Sequence, residues 1–373
     1  MPISIAPYSE GHIPAVKDFN HRLREGGAPA DYVFSESNIP AWLPKNENSP
    51  IFNEFFVVLE GEAVRGAFVL KHQTFSFRGS LRRLVYLHHP FSEGIIDKRY
   101  SQVGAQMLKR IIRENPMLFA LGMGGYDRPL PRMLLALRWN HCLIPFYFRI
   151  CNGAKFLREM QVLRTSAAKR IGSGLAATTG LGPLAITSWQ AVHTSYKLQK
   201  DYRTEVVDEF DDWTNAIWAE VHEQFAMTAV RDCESLRTLY PPANRKVTRI
   251  RIMKAGAAVG WAVTGILHRP GHEQYGDLRV GTVLDVLSKS EHAAAVIAAA
   301  TGVLIEQGAE LISSNQSHEA WTSALAACGF LKGPSNFIFA AAPQVSGLLE
   351  PFGDAMRRAH LNRGDGDNLL QYC

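Results

Sequence analysis

The stretch Arg99-Tyr100-Ser101-Gln102-Val103-Gly104-Ala105-Gln106-Met107-Leu108 decides how this chain is read. It follows the apolar run Leu84-Val85-Tyr86-Leu87 and opens a helix expected to reach about residue 114. The order is strand, loop, helix N-terminus, with small residues in the first helical turn. A helix start leaves backbone N–H groups without intrahelical partners and carries the positive end of the helix dipole. Together these suit a phosphate. Gly104 and Ala105 let a bulky anion come close to the backbone. The plainer alternative is a polar start to a core-facing helix, and the motif alone does not separate the two.

The segments on either side read as a mixed α/β unit. A first strand is expected over 3–8, then a helix over 12–24 with Ile13, Val16 and Phe19 at helical spacing. Gly26-Gly27-Ala28-Pro29 ends that helix, and 30–53 reads as irregular. A hairpin follows: 55–59, the turn Glu60-Gly61-Glu62, and a long return strand over 63–77. A further strand over 82–87 leads into the opening stretch. Beyond the helix, Asn115-Pro116 breaks the chain and 117–123 reads as a buried strand. A turn at 124–129, a short helix over 130–137 and a strand over 143–150 complete the unit.

The second half repeats this order. A helix is expected over 211–225, a hairpin over 247–267 around Lys254-Ala255-Gly256, and a strand over 280–287. A helix over 291–306 with Ser290 as its N-cap, a strand over 311–314, a helix over 318–327 and a strand over 336–341 follow. Gly66 to Asn140 spans 74 positions and Gly260 to Phe330 spans 70, the spacing two copies of one fold would give. Residues 164–187 are rich in glycine, alanine, serine and threonine and read as linker. The expected partition is 1–163 as the first domain, 164–200 as linker, 201–345 as the second domain and 346–373 as a tail.

Composition narrows the function classes. The chain has 373 residues, more than one core usually serves, with 46% apolar residues and a formal net charge of +5. That charge suits an anionic ligand; without a dense basic stripe interleaved with aromatics, no DNA partner is expected. The five cysteines are scattered, which argues for a reducing compartment and against a disulfide framework or a metal site. No signal pattern opens the sequence, and the longest apolar stretch, 293–305, is too short to span a bilayer. A cytoplasmic protein is expected.

The opening stretch resembles the pyrophosphate loop of the GNAT superfamily of acyl-CoA-dependent N-acyltransferases, which reads Arg/Gln-x-x-Gly-x-Gly/Ala. Arg99 and Gly104 occupy its first and last marked places, and Gln102 stands where the first glycine belongs. The segment 311–330, with its closing Gly329-Phe330, looks like the end of a GNAT domain. The whole is similar to a tandem GNAT protein, with a distant likeness to two-domain FemABX aminoacyltransferases. The resemblance implies an α/β fold of two domains, each a mixed sheet flanked by helices, with acyl-CoA in the gap where two parallel strands splay. It implies an acetyl-CoA or other acyl-CoA co-substrate, held by Leu87, Arg99, Gln102, Val103, Gly104 and Ala105, and a small or cell-envelope-related amine as acceptor.

The candidate base is His88 or His89, because imidazole titrates near neutrality and can take a proton from an amine. Neighbouring strand residues point to opposite faces, so one of them at most is expected at the gap. In the family a tyrosine on the last helix protonates the leaving thiolate; Leu135 and Leu325 stand at the matching places, leaving Tyr126 as the nearby substitute. Glu93, on the loop after the strand, is a second candidate base, with a solvated loop acid as the plainer reading. The second half has no glycine where its phosphate loop belongs and places Glu291 there, so it is expected to shape the acceptor site or a homodimer contact instead. Two other classes fit the same residues: a non-catalytic binding protein, and a FemABX-like transferase.

Overall fold

The computed structural model describes residues 3–37, 43–46, 49–164 and 179–366. Two mixed sheets form its frame. The first contains β1 (Ser4–Pro7), β2 (Phe52–Glu60), β3 (Ala63–Phe77), β4 (Ser80–Ser92), β5 (Leu118–Gly122) and β6 (Asn140–Leu143). The chain then supplies β7 (Phe146–Ile150), β8 (Tyr202–Val207) and β9 (Met227–Ala229). The second sheet is built on β10 (Val247–Lys254), β11 (Ala257–His268), β12 (Arg279–Ser288) and β13 (Leu311–Asn315). Last come β14 (Leu331–Gly333), β15 (Ile338–Ala341) and the short β16 (Ala359–His360).

The two halves exchange a strand. The first sheet runs β1-β2-β3-β4-β5-β15-β6, and the second runs β8-β10-β11-β12-β13-β7-β14. The strand read as the end of the first unit, β7, pairs antiparallel with β13 and β14. The strand read as the end of the second, β15, inserts between β5 and β6. In each sheet the sixth place is filled from the other half of the chain. Independent cores on either side of a linker are therefore not what the pairing shows. Of the expected linker, 165–178 lies outside the described residues. Within 164–200, Leu181–His193 is a helix.

Helices cover both faces. α1 (Ile13–Glu25) sets Val16, Phe19 and Leu23 against Val57, Ala67 and Phe91. α2 (Ser101–Glu114) buries Val103, Met107, Leu108 and Ile111 against Val85 and Leu87, the 3.6-residue stripe that its sequence shows. α3 (Pro129–Ala136) closes the same core with Leu134. In the second half the helix begins at Ala293, after a 3-10 turn over Ser290–His292, rather than at 291 with a Ser290 cap. The described part of the segment read as a tail, 346–366, is packed: Ala355, Met356, Ala359 and Leu361 join a core with Tyr86, Phe119 and Phe339. Among the described residues no helix is long and apolar enough to cross a membrane.

Candidate functional site

The site begins where β4 and β5 part. They pair in parallel at Val85–Leu118 and Tyr86–Phe119. Beyond that point β4 continues along β3 while β5 continues along β15. The β4 register against β3 slips by one residue between Val69–His88 and Ala67–Phe91. The extra residue sits at His89–Pro90, where His89 takes a left-handed φ of 45°. A bulge is where a proline, which has no N–H to give a ladder, is tolerated, and a left-handed histidine is a strained residue of the kind that gathers at functional sites.

Backbone polarity in the gap follows from the pairing. Val85 donates its N–H to Met117 O at 3.0 Å, so its backbone faces β5. Alternate residues of a strand present backbone groups to the same edge. Leu87 therefore presents its backbone to the same edge where the pairing ends: the Tyr86–Phe119 pair takes up its N–H and leaves its C=O toward the gap.

A cavity of about 360 Å³ fills the space between the splayed strands, α2 and α3. Its walls are apolar: Leu87 from β4, Leu121 from β5, Met107 and Leu108 from α2, Met133 from α3. Polar groups gather elsewhere on it: Ser101 and Gly104 at the α2 start, Ser92, and Asp31, Tyr32 and Arg128. An apolar cleft with a few convergent polar groups is the usual form of a small-molecule site.

A clamp holds the loop between β4 and α2. Glu93 is buried, accepting from Arg22 Nε at 2.8 Å and from Arg65 Nη1 at 2.8 Å. Burial would push its carboxyl up, but the hydrogen bonds from Arg22 and Arg65 outweigh that and hold it below the ordinary range. The reading of Glu93 as a solvated acid is corrected: it is a fixed anion. Arg65 also stacks over the Tyr100 ring at 4.2 Å, and a Cβ on Gly94 would lie 2.6 Å from Tyr100 O. Only glycine lets the loop press this closely on the helix start.

The structure sorts the candidate residues. Leu87, His89 and Gly104 line the cavity. His88 is buried and is not among the residues on the cavity wall, and its ring stacks on that of His89 at 4.2 Å because the bulge breaks the strand alternation. Val103 is a core residue of α2, and Gln102 and Ala105 are on its exposed side. Arg99 is solvent-exposed and tied to Asp97, with Nη2–Oδ2 at 2.6 Å. Tyr126 is not on the cavity: its hydroxyl meets His141 Nδ1 at 2.9 Å beside a separate small crevice. Asp31, Tyr32, Ser101 and Arg128 were missed. Ser101 could have been found from the same helix-start argument, whereas Asp31 and Tyr32 stand in a stretch without periodicity.

The second sheet repeats the geometry with a different outcome. β12 and β13 pair in parallel from Val280–Leu311 to Val283–Ser314 and then part. Residues 361–366 of the chain fill this gap. Gly364 donates its N–H to Leu284 O at 3.1 Å, and Asn362 Nδ2 donates to Asp285 Oδ1 at 2.8 Å. A Cβ on Gly364 would fall 2.4 Å from Tyr240 Oη. Asp285 is a fully buried acid. It accepts from Arg231 Nε at 2.7 Å and Tyr240 Oη at 2.8 Å, and Arg231 Nη2 also reaches Asp365 Oδ1 at 2.6 Å.

Other nucleophiles are held inactive. Burial pushes the Cys142 and Cys328 thiols up to about 12 and Cys151 to about 11, so all three are neutral at pH 7. Asp211, Asp212 and Cys233 bring three ligand-type atoms within 4.8 Å of one another, but both carboxylates are exposed and Arg237 already pairs with Asp211 at 3.3 Å.

No family model matches the chain, and no curated protein matches it. Solved structures do. Saccharomyces cerevisiae N-myristoyltransferase with bound myristoyl-CoA aligns with a TM-score of 0.52 at 12% identity, over 92% of this chain and 79% of the other. A tandem GNAT protein from the clavulanic acid biosynthesis pathway aligns at 0.50 with 10% identity, over 91% of this chain and 98% of that one. A conserved Enterococcus faecalis V583 protein, described as a probable N-acyltransferase, aligns at 0.51 with 7% identity, over 94% and 74%. Two mixed sheets with matching strand orders, each with a parallel pair that splays, agree with these alignments along nearly the whole length: the chain has the tandem GNAT fold.

Proposed function

We propose that the chain is an acyl-CoA-dependent N-acyltransferase that moves an acetyl group to a primary amine on a small or cell-envelope-related acceptor, in a cytoplasmic setting. The observation that carries this reading is the cavity itself, an apolar cleft in the β4–β5 gap that ends at the start of α2. The likeness in fold to a structure holding myristoyl-CoA supports it.

In this reading acyl-CoA supplies an activated thioester carbonyl. Ser101 and Gly104 at the α2 start receive its pyrophosphate, where the helix dipole and the Ser101 hydroxyl favour an anion, the Ser101 N–H being taken by Lys98 O in the preceding 3-10 turn. Arg128 adds a cation on the same cavity, a role that Arg99, held by Asp97, does not take. Leu87 offers its backbone C=O to the pantetheine arm. His89 accepts the proton of the attacking amine. Tyr32 is the candidate donor to the leaving thiolate. Burial and then Asp31 push its hydroxyl above the ordinary phenol range, so it is protonated at neutral pH. Holding thioester and amine together in an apolar cleft does most of the catalysis.

Calorimetry with acetyl-CoA, followed by a thiol-release assay over a panel of amines, tests the proposal. Binding with release in the presence of one amine class supports it. Binding without release from any amine favours the alternative of a non-catalytic GNAT-fold protein, for which the engagement of Tyr126 with His141 is the specific argument. No binding of any CoA compound overturns the assignment of the cavity.

A further inference from the structure

We propose that Tyr86 is a specificity-determining residue that closes the acyl end of the cavity and restricts the chain to short acyl groups. The inference rests on the acyl-CoA reading of the site and deepens it. Tyr86 stands at the last paired position of β4, opposite Phe119, so its side chain leaves the strand at the apex of the splay. Its ring is buried and lines the cavity. Its hydroxyl donates to Leu121 O at 2.8 Å, a bond that spans the gap from one strand to the other. The ring is backed by Phe119, stacked at 5.3 Å. Lys71 Nζ lies 5.6 Å from the ring centroid and donates to Asp365 O at 3.1 Å.

Direction along the cleft decides what this closure does. β4 runs from Tyr86 at the apex to Ser92, and the chain then turns into α2. A ligand whose phosphates sit at Ser101 and Gly104 therefore sends its thioester back along β4, toward Tyr86. An acyl chain growing from that thioester meets the phenol ring, which is packed into a filled core with Phe119 and Leu121 and has the Lys71 ammonium 5.6 Å from its centroid. The limit is steric: a longer chain would have to displace the ring and the close-packed side chains around it. Until the limit is reached, each added methylene should tighten binding by about three- to fourfold.

The test is a titration with free CoA and with straight-chain acyl-CoAs from acetyl to myristoyl, on the wild type, Tyr86→Phe and Tyr86→Ala. The wild type should bind acetyl- to butanoyl-CoA, then lose at least about tenfold by octanoyl-CoA relative to its best chain. Tyr86→Phe keeps the ring and should keep the limit. Tyr86→Ala should recover octanoyl-CoA by about tenfold relative to acetyl-CoA. Wild-type protein that binds free CoA and takes myristoyl-CoA as tightly as acetyl-CoA overturns the inference, and that measurement stands even if Tyr86→Ala fails to fold. Failure to bind free CoA overturns the acyl-CoA reading beneath it.

Discussion

Gly104 offers the sharpest separation between folding and binding. It lies within the first turn of α2, on the cavity, and a Cβ there would come 3.1 Å from Ser92 Oγ. Alanine is the better helix former by about 1 kcal/mol, and the serine hydroxyl can rotate away, so Gly104→Ala should melt no lower than the wild type. Gly104→Glu should also fold, since an acid near a helix N-terminus is favourable by roughly 0.3–1 kcal/mol. Its effect on a ligand should be the reverse, because a carboxylate and its stem then occupy the place of a phosphate. A hydrogen bond to a charged group contributes about 1.5–3 kcal/mol, so losing two costs about 3–6 kcal/mol, or roughly two to four decades of affinity. The control is Glu291→Gly. Glu291 is exposed, 3.4 Å from His292, beside a gap that the chain itself fills, and its removal should not change affinity. Calorimetry with acetyl-CoA, with melting curves on each variant, decides the matter. Normal binding by a folded Gly104→Glu would refute the phosphate assignment. Loss of binding in Glu291→Gly would move the site to the second sheet.

Three further outcomes follow from the same contacts. His89→Ala should lower turnover by about two to four decades and flatten the acid limb of the pH–rate profile, whereas His88→Ala should reduce stability and keep that profile; equal full rates in both would remove histidine as the base. Stability should fall as pH drops below about 6.5, because burial holds His360 well below its ordinary value and holds His318 below it too. His360 is neutral when folded and takes a proton on unfolding, so it contributes up to about 1.4 kcal/mol per pH unit below 6.5, with His318 adding in the same direction, and denaturant titrations at pH 7.5 and 5.5 should differ accordingly, with the difference smaller in His360→Gln. Arg231→Met should cost roughly 3–5 kcal/mol, since it strands Asp285 and Asp365 without their cation; urea unfolding that is unchanged would show that the network is not structural.

Much of the fold was legible because it is local. The hairpin of β2 and β3 and that of β10 and β11 announce themselves by short turns between apolar runs, and both return strands are where the pattern puts them. The helix start at Ser101 follows from small residues behind an apolar strand. The exchange of β7 and β15 was not legible: Phe146–Ile150 and Ile338–Ala341 are short apolar strands that either sheet could accept, and nothing in a strand's own pattern names its partner. Buried charge was hidden for a related reason. Arg231, Asp285, Lys71 and Asp365 look like surface residues until four distant segments bring them together at 2% exposure or less. The same holds for the cavity, where Asp31, Tyr32 and Arg128 come from loops on separate sides of the gap. Leu181–His193 was read as linker from its neighbours' glycine and threonine, although its own residues form a helix.

The two gaps show why one half of a duplicated fold can carry a ligand and the other not. A parallel pair that splays leaves backbone groups of both strands without ladder partners, and buried groups of that kind must be satisfied. In the second sheet residues 361–366 do this from within the chain. Gly364 takes up the Leu284 carbonyl, and a glycine is needed there because Tyr240 and Asp285 leave no space for a Cβ. Asp285 and Asp365 in the same place require Arg231, and Arg231 in turn is stable only between them, since a lone buried guanidinium would be costly. The filling is thus held by charge and by shape, and a phosphorylated ligand would have to displace both. In the first sheet the last described residues come only as far as Leu121, where a Cβ on Gly366 would lie 2.8 Å from its side chain, and they leave the cavity between the strands. The Glu93 clamp holds the loop against the helix start, and the bulge at His89 sets that residue on the cavity. The asymmetry is therefore one of occupancy rather than of fold: the same splay is a structural joint where the chain closes it and, on the proposed reading, a binding cleft where a cavity is left.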